Sequence, residues 1–284
     1  MAITRGATKA LVLANGRIEF NQFPIVNGVE RQADAKGFRY LGSSKELNLT
    51  QENETLEHKS SECGFNTTDE EIIISSKLTG SFTLDNINTE NLAMFFAGEV
   101  NAQTQVAATG KKDTLKVYPS LGYRLGTSKE NPNGVFAATI TKIEVFADEA
   151  KAKAGTPVAA TLVEGVDYEY TAETGFLMIG DTDSTTKIKA EGSWVVVTYD
   201  LKKAARDVII SKGQSIVGEF LFRGCNAKGE NRQYWMPKVR LSPNGDFALK
   251  GGEEWSSMAF NITALESEGA GSMLYINGQP TTLV

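Results

Sequence analysis

The sequence predicts a mainly β protein with one short helix, on three observations. Apolar and polar residues alternate along most of the chain, turn-forming residues separate the alternating stretches, and residues 86–100 break the pattern with helical spacing. At 284 residues, 41% of them hydrophobic, the chain can build one large domain or two modest ones around buried cores.

Taken in order, the strand candidates of the first hundred residues are "TKALVLAN", "GRIEF", "GFRYLG", "KELNLTQE", "EEIIISSKL" and "GSFTLDN". Between Phe20 and Gly37 the stretch "NQFPIVNGVERQADAK" loses its periodicity and holds a Pro, a Gly and mixed charge. It reads as a long excursion from the sheet and an interaction candidate, with Phe23, Pro24, Ile25 and Val26 as its apolar part.

"NINTENLAMFFAGEV" has a start and a stop. Asn88 or Thr89 can cap the first turn, Glu90 suits its positive end, and Gly98 is placed for the left-handed residue that ends a helix. Leu92, Phe95 and Phe96 form an i, i+3, i+4 stripe, so about ten residues that are marginal alone must dock on a sheet. Met94 falls off that stripe and is expected to contact another subunit.

Residues 101–113 and the "DLKKAAR" segment near residue 200 are small and polar. Between them "LKVYPSL", "FAATITKIEVFA", "AATLVE", "DYEYTAETGFLMI" and "SWVVVTYD" have the size and spacing of a small Ig-like β-sandwich. The expected organisation is a discontinuous domain, 1–113 and 201–284, with a β-domain inserted at 114–200. In 207–265, "SIVGEFLF", "WMPKVRL" and "SSMAFNITAL" alternate about the loop near Lys228-Gly229 and the turn Ser242-Pro243-Asn244-Gly245, which predicts an antiparallel meander.

Catalytic constellations are poorly supported, and the chain is expected not to be an enzyme. His58 is the one histidine, which leaves no triad and no His-rich metal site, and no G-x-S-x-G elbow occurs. Asp69-Glu70-Glu71 and Glu253-Glu254 are neighbours that a strand would point to opposite faces, so they read as solvated loop ends rather than a glycosidase pair. "DTDSTTKIKAEG" starts like a calcium loop at Asp181 and Asp183, but Thr186 and Gly192 replace the Gly and Glu that such a loop needs. Cys63 and Cys225 lie outside any C-x-x-C spacing and are expected to be reduced and buried. No catalytic residue, cofactor or metal is expected.

The net charge of −6 argues against a protein that grips nucleic acid through clustered Lys and Arg. Lys111-Lys112 and Lys202-Lys203 with Arg206 read as solvated pairs in linkers. Arg5 and Lys9 precede an apolar run too short for a secretory segment, so synthesis in a cytoplasm is expected. Trp194, Trp235 and Trp255 are dispersed beside apolar strands and are expected to pack in cores.

The run "RYLGSSKELNLTQENETLEHKSSECG" followed by "EEIIISSKLTGSFTLDNINTENLAMFFAGE" resembles the N-terminal half of the tail tube proteins of long-tailed, siphovirus-type bacteriophages. "GVDYEYTAETGFLMI", "GEFLFRGCNAKGENRQYWMPKVRLSPNGDFAL" and "GEEWSSMAFNITAL" are similar to that family's middle and end, so the likeness covers most of residues 38–265. It implies a β-sandwich or partial barrel flanked by one α-helix, in subunits that close as hexameric rings and stack into a hollow tail tube conducting DNA. The implied partners are the chain itself, tape measure, terminator and baseplate proteins, and genomic DNA passing the lumen without specific binding; no membrane is involved, and the location is the virion tail. On this view the excursion and the apolar C-terminal residues Met273, Leu274, Tyr275 and Ile276 reach adjacent rings, and the insert decorates the exterior. The alternatives are a carbohydrate-binding or adhesin module, a contractile-tail or secretion-system tube, and, third, a hydrolase.

Overall fold

The structure, a computed structural model, describes residues 11–60, 67–155, 157, 160–182, 187–251, 255–267 and 269–278. In chain order its elements are β1 (Gly16–Gln22), β2 (Ile25–Val26), β3 (Val29–Glu30), a 3-10 turn (Gln32–Asp34), β4 (Arg39–Tyr40), β5 (Ser44–Ser60), β6 (Thr67–Leu84), α1 (Thr89–Phe95), β7 (Gly98–Gln105), β8 (Ala108–Val117), β9 (Gly122–Arg124), β10 (Ala138–Phe146), α2 (Glu149–Ala154), β11 (Tyr168–Thr171), β12 (Phe176–Ile179), β13 (Ser193–Leu201), β14 (Ala204–Ser211), β15 (Ile216–Gly224), β16 (Gln233–Pro243), β17 (Met258–Ala264) and β18 (Tyr275–Asn277). The protein is mainly β, and the strand pairs of its sheets are antiparallel.

Two compact units divide the chain: Met1–Asn101 with Ile209–Val284, and Ala102–Val208. The polar stretches read as linkers are strands. Residues 98–105 and 204–211 form β7 and β14, which pair in a two-stranded ribbon carrying the chain from the first unit to the second and back. β7 is polar along most of its length, so its hydrophobic pattern does not betray it, and β14 turns apolar only at 208–210.

The first unit is built on one eight-stranded sheet, ordered β4-β1-β15-β16-β17-β6-β5, with β18 also paired to β16. Tyr40 of β4 and Leu47 and Leu49 of β5, at opposite ends of that order, line one cleft with Phe220, Phe222 and Tyr234, so the sheet curls into a partial barrel. The predicted meander is β15, β16 and β17, with registers such as Phe220↔Met236 and Leu241↔Ile262. Phe82 stacks on Phe260 at 5.1 Å and leans on Phe220 at 5.7 Å, making an aromatic centre that α1 closes through Phe95, edge-on to Phe260.

Helix α1 begins as expected: Asn88 Oδ1 accepts the Asn91 backbone N–H at 2.8 Å. It ends differently. Ala97 takes the left-handed conformation (φ 47°), and Gly98 opens β7 instead. Glycine is needed there for another reason, since a Cβ on Gly98 would lie 2.8 Å from the Ile210 carbonyl oxygen on the paired strand.

In the second unit the sheets β10-β13-β8 and β11-β12-β9 share one core of Val117, Leu125, Ile143, Leu177, Val195 and Val197, among others. Sequence periodicity missed α2, capped by Asp148 and stopped at Gly155 (φ 74°), which packs Ala152 against Phe146, Val196 and Trp194. The described part of "AATLVE" forms isolated bridges rather than a strand, Glu144↔Thr161 and Glu164↔Tyr168. Tyr199 donates to Asp113 at 3.2 Å, and Asp113 also accepts the Gly126 N–H. Burial first, then the Asp113 charge, pushes the Tyr199 phenol well above its usual range, and burial with Glu164 and Glu173 pushes Tyr170 up to about 12. Arg206 is no linker cation: its guanidinium lies 4.3 Å from the Phe136 ring centroid and bonds Gln103 and the Asn133 and Gly134 carbonyls.

Two tryptophans pack, Trp194 as above and Trp235 against Tyr275 at 5.3 Å. Trp255 is 89% exposed, which corrects the expectation of a core position. Cys225 is exposed too, because it follows β15 into the hairpin loop; Cys63, Asp183, Glu253 and Glu254 lie outside the described residues.

Candidate assembly surfaces

The largest departure from the expected element map is the β5–β6 hairpin. Strands of 17 and 18 residues pair from Ser44↔Leu84 out to Ser60↔Thr67. The expected break at Gly80 is absent; a Cβ there would meet the Asn48 carbonyl oxygen at 2.4 Å, so the glycine admits the neighbouring backbone within one continuous strand. As far as Leu78 the hairpin belongs to the partial barrel, with Leu47, Leu49, Leu78, Phe82 and Leu84 on the core side.

Beyond Leu78 no described residue of the first unit covers its apolar side chains. Leu56, Ile72, Ile73 and Ile74 are 58%, 51%, 63% and 53% exposed. Leu56 stands opposite Ile72 on one face and Thr55 opposite Ile73 on the other, with Ile74 as the extra residue of a bulge. The distal ribbon is therefore apolar on both faces. Its rim is acidic and hydrogen-bonded: His58 Nδ1 lies 2.5 Å from Asp69 Oδ1, and Ser75 donates to Glu54 at 3.1 Å. Asp69, Glu70 and Glu71 stand on β6 rather than at a loop end, and His58 is an exposed ribbon residue.

Four of the expected contact residues, Phe23, Pro24, Ile25 and Met94, line a single groove of about 550 Å³ between the excursion and α1. Two of them are not free to meet a partner. Phe23 is 2% exposed, held by its N–H to the Val217 carbonyl at 2.8 Å, and Met94 is 4% exposed within the core. The stripe argument failed because the helix is buried on two sides, by the sheet and by Arg39; Phe96, assigned inward, is the residue left exposed. Arg39 donates to Asn91 Oδ1 at 2.8 Å and approaches Met94 Sδ at 3.3 Å, while Asn91, fully buried, donates to the Leu41 and Asn86 carbonyls. Burial lowers the Arg39 pKa and Glu90 opposes that shift.

Pro24 and Ile25 are half-buried and Val26 is exposed. Val26 and Val29 flank a two-residue turn, Asn27 (φ 53°) and Gly28 (φ 79°), the Asn-Gly signature of a tight hairpin inside the stretch read as aperiodic. At the C-terminal end, Met273 and Leu274 pack on the core and Tyr275–Asn277 pairs with β16, so these residues stay on their own sheet as far as Asn277; Ile276 is exposed. The signal missed there was the pairing of Trp235 with Tyr275, forty positions apart, which local periodicity does not carry.

The comparisons with known proteins add one likeness. No curated protein matches the chain. Residues 25–126, which hold most of the excursion, the long hairpin, α1 and the first strands of the second unit, are similar to a family described as "Protein of unknown function UCP028589".

Proposed function

We propose that the chain is a structural subunit that polymerises as stacked hexameric rings into a hollow phage tail tube, through which DNA passes during ejection. The observation that carries this reading is the distal β5–β6 ribbon, with apolar side chains on both faces and no core of its own. Isolated two-stranded ribbons are marginal in water, and exposed apolar strands invite pairing, so such a ribbon is stable and safe only when neighbours cover it. Repeated copies supply those neighbours in a closed assembly. The sequence resemblance to tail tube proteins names the assembly, and the acidic chain suits a conduit that must not hold a polyanion. The second unit would stand on the exterior, and tail proteins that start, measure and cap the tube would be further partners.

Electron microscopy of the purified full-length chain tests the proposal. Rings or hollow tubes support it; a stable monomer sinks it. One observation favours a second reading, a β-rich glycan-binding module: Trp255 and Leu249 are almost fully exposed in the loop between β16 and β17. Glycan binding by the monomer, lost in Trp255→Ala, would support that alternative.

A further inference from the structure

We infer that the distal β5–β6 ribbon of one copy docks on the basic end of the β1–β15–β16 segment of the next copy, an inference that rests on the ring reading above. The ribbon carries Glu52, Glu54, Glu57, Asp69, Glu70 and Glu71 against Lys59 and Lys77, all exposed, around its apolar residues. The basic end carries Arg17, Arg223, Lys228 and Arg232, all exposed, beside the exposed Leu11, Val12 and Leu13. Leu13 is held there by its N–H to the Lys228 carbonyl at 2.9 Å, and Arg17, Arg223, Cys225 and Arg232 line a shallow cleft of about 340 Å³. Each surface is thus an apolar patch edged mainly by one sign of charge, acidic on the ribbon despite Lys59 and Lys77 and basic at the other end despite Glu230, which pairs with Arg232 at 2.9 Å, and the prevailing signs are opposite.

Each surface also holds a like-charged pair directly across a ladder: Glu57↔Glu71 on the ribbon and Arg17↔Arg223 at the basic end. Such pairs destabilise a lone sheet. Glu19 relieves Arg223 within the chain, whereas among the described residues Arg17 meets the face of Tyr40, 5.7 Å away, and no carboxylate. Carboxylates of the ribbon supply what the arginines lack, and the reverse holds as well.

Topology makes the contact head to tail. The registers Thr79↔Thr263, Val239↔Ala264 and Gly16↔Gly224 place the ribbon's free end, the 225–232 loop and residues 11–15 at the same end of the sheet. The ribbon rises from the β5–β6 edge, and the basic end lies toward the β4–β1 edge. A rotation about an axis along the strands brings one edge of each copy onto the other edge of the next at equal height, which is how a heterologous contact closes into a ring.

Charge reversal tests this. Variant A is the full chain with Glu70→Lys and Glu71→Lys; variant B has Arg17→Glu and Lys228→Glu, which leaves the Arg223–Glu19 pair intact. Assembly is followed by sedimentation and electron microscopy. Wild type assembles, A and B alone each need roughly tenfold or more protein to do so, and the chain carrying all four changes recovers. An equimolar mixture of A and B assembles as alternating copies, which an even-numbered ring permits. Assembly of A and B as readily as wild type overturns this contact and leaves the tube standing; a wild-type chain that stays monomeric overturns both. Loss of DNA retention by B with assembly unchanged would assign the arginines to nucleic acid and overturn the contact.

Discussion

Leu56 and Ile72 stand directly opposite each other on β5 and β6, each more than half exposed among the described residues. Ile72→Lys is expected to leave the isolated subunit's stability within about 0.5 kcal/mol of the parent, because exposed substitutions remote from packed groups cost little. The same change would abolish assembly. Thermal unfolding of the monomer and sedimentation of the assembly, measured on one preparation, check both halves.

Met94 gives the opposite expectation. Its side chain is buried beside Arg39 and Phe95 in the core, so Met94→Glu places a carboxylate where it has one cation and no water, at a cost of about 3 kcal/mol or more. Failure of that variant to assemble would be a folding defect, seen as a lowered Tm in the monomer. Met94→Leu, close in volume, is expected to lose less than about 1.5 kcal/mol.

Ala97 and Gly98 separate two demands that a helix end usually places on one residue. Ala97→Gly relieves a left-handed alanine and is expected to stabilise by about 1 kcal/mol, whereas Gly98→Ala pushes a methyl group into the Ile210 carbonyl and destabilises. Denaturant midpoints of the two variants should move in opposite directions.

Tyr170 reports on the second unit. Its hydroxyl is buried without a hydrogen-bond partner among the described residues, and its pKa is raised from 10.0 to about 12. A raised folded-state pKa means that the unfolded chain releases the proton first, so this contribution is complete below pH 10.0 and is lost as pH rises toward about 12. Tyr170→Phe removes that contribution to the pH dependence and should be neutral or stabilising at pH 7. Unfolding followed between pH 8 and pH 12 distinguishes the variant from the parent.

Much of the fold was legible because it rests on local alternation. Met258, Phe260 and Ile262 announce a strand face by parity, and they are the residues buried in β17 together with Ala264. Asn88 announces its helix because a cap is a contact over three residues. What escaped depends on residues far apart. Gly80 looks like a break until Asn48 is seen against it, and Met94 looks exposed until Arg39 arrives from β4. The contact surfaces were partly mislaid for the same reason: Phe23 and Met273 are apolar residues in irregular segments, which is equally the signature of a clasp onto the chain's own core. The ribbon left a mark in "EEIII" that reads only as a strand: consecutive isoleucines put apolar side chains on both faces, which is equally the pattern of a strand buried on both sides.

The pairing of β7 with β14 makes the second unit a cassette. The chain departs and comes home on neighbouring strands, so excision of residues 102–208 leaves its two ends on paired strands, where a short turn can rejoin them. A foreign domain whose own termini lie side by side could be grafted at the same stubs, and each copy in an assembly would then display one such cargo.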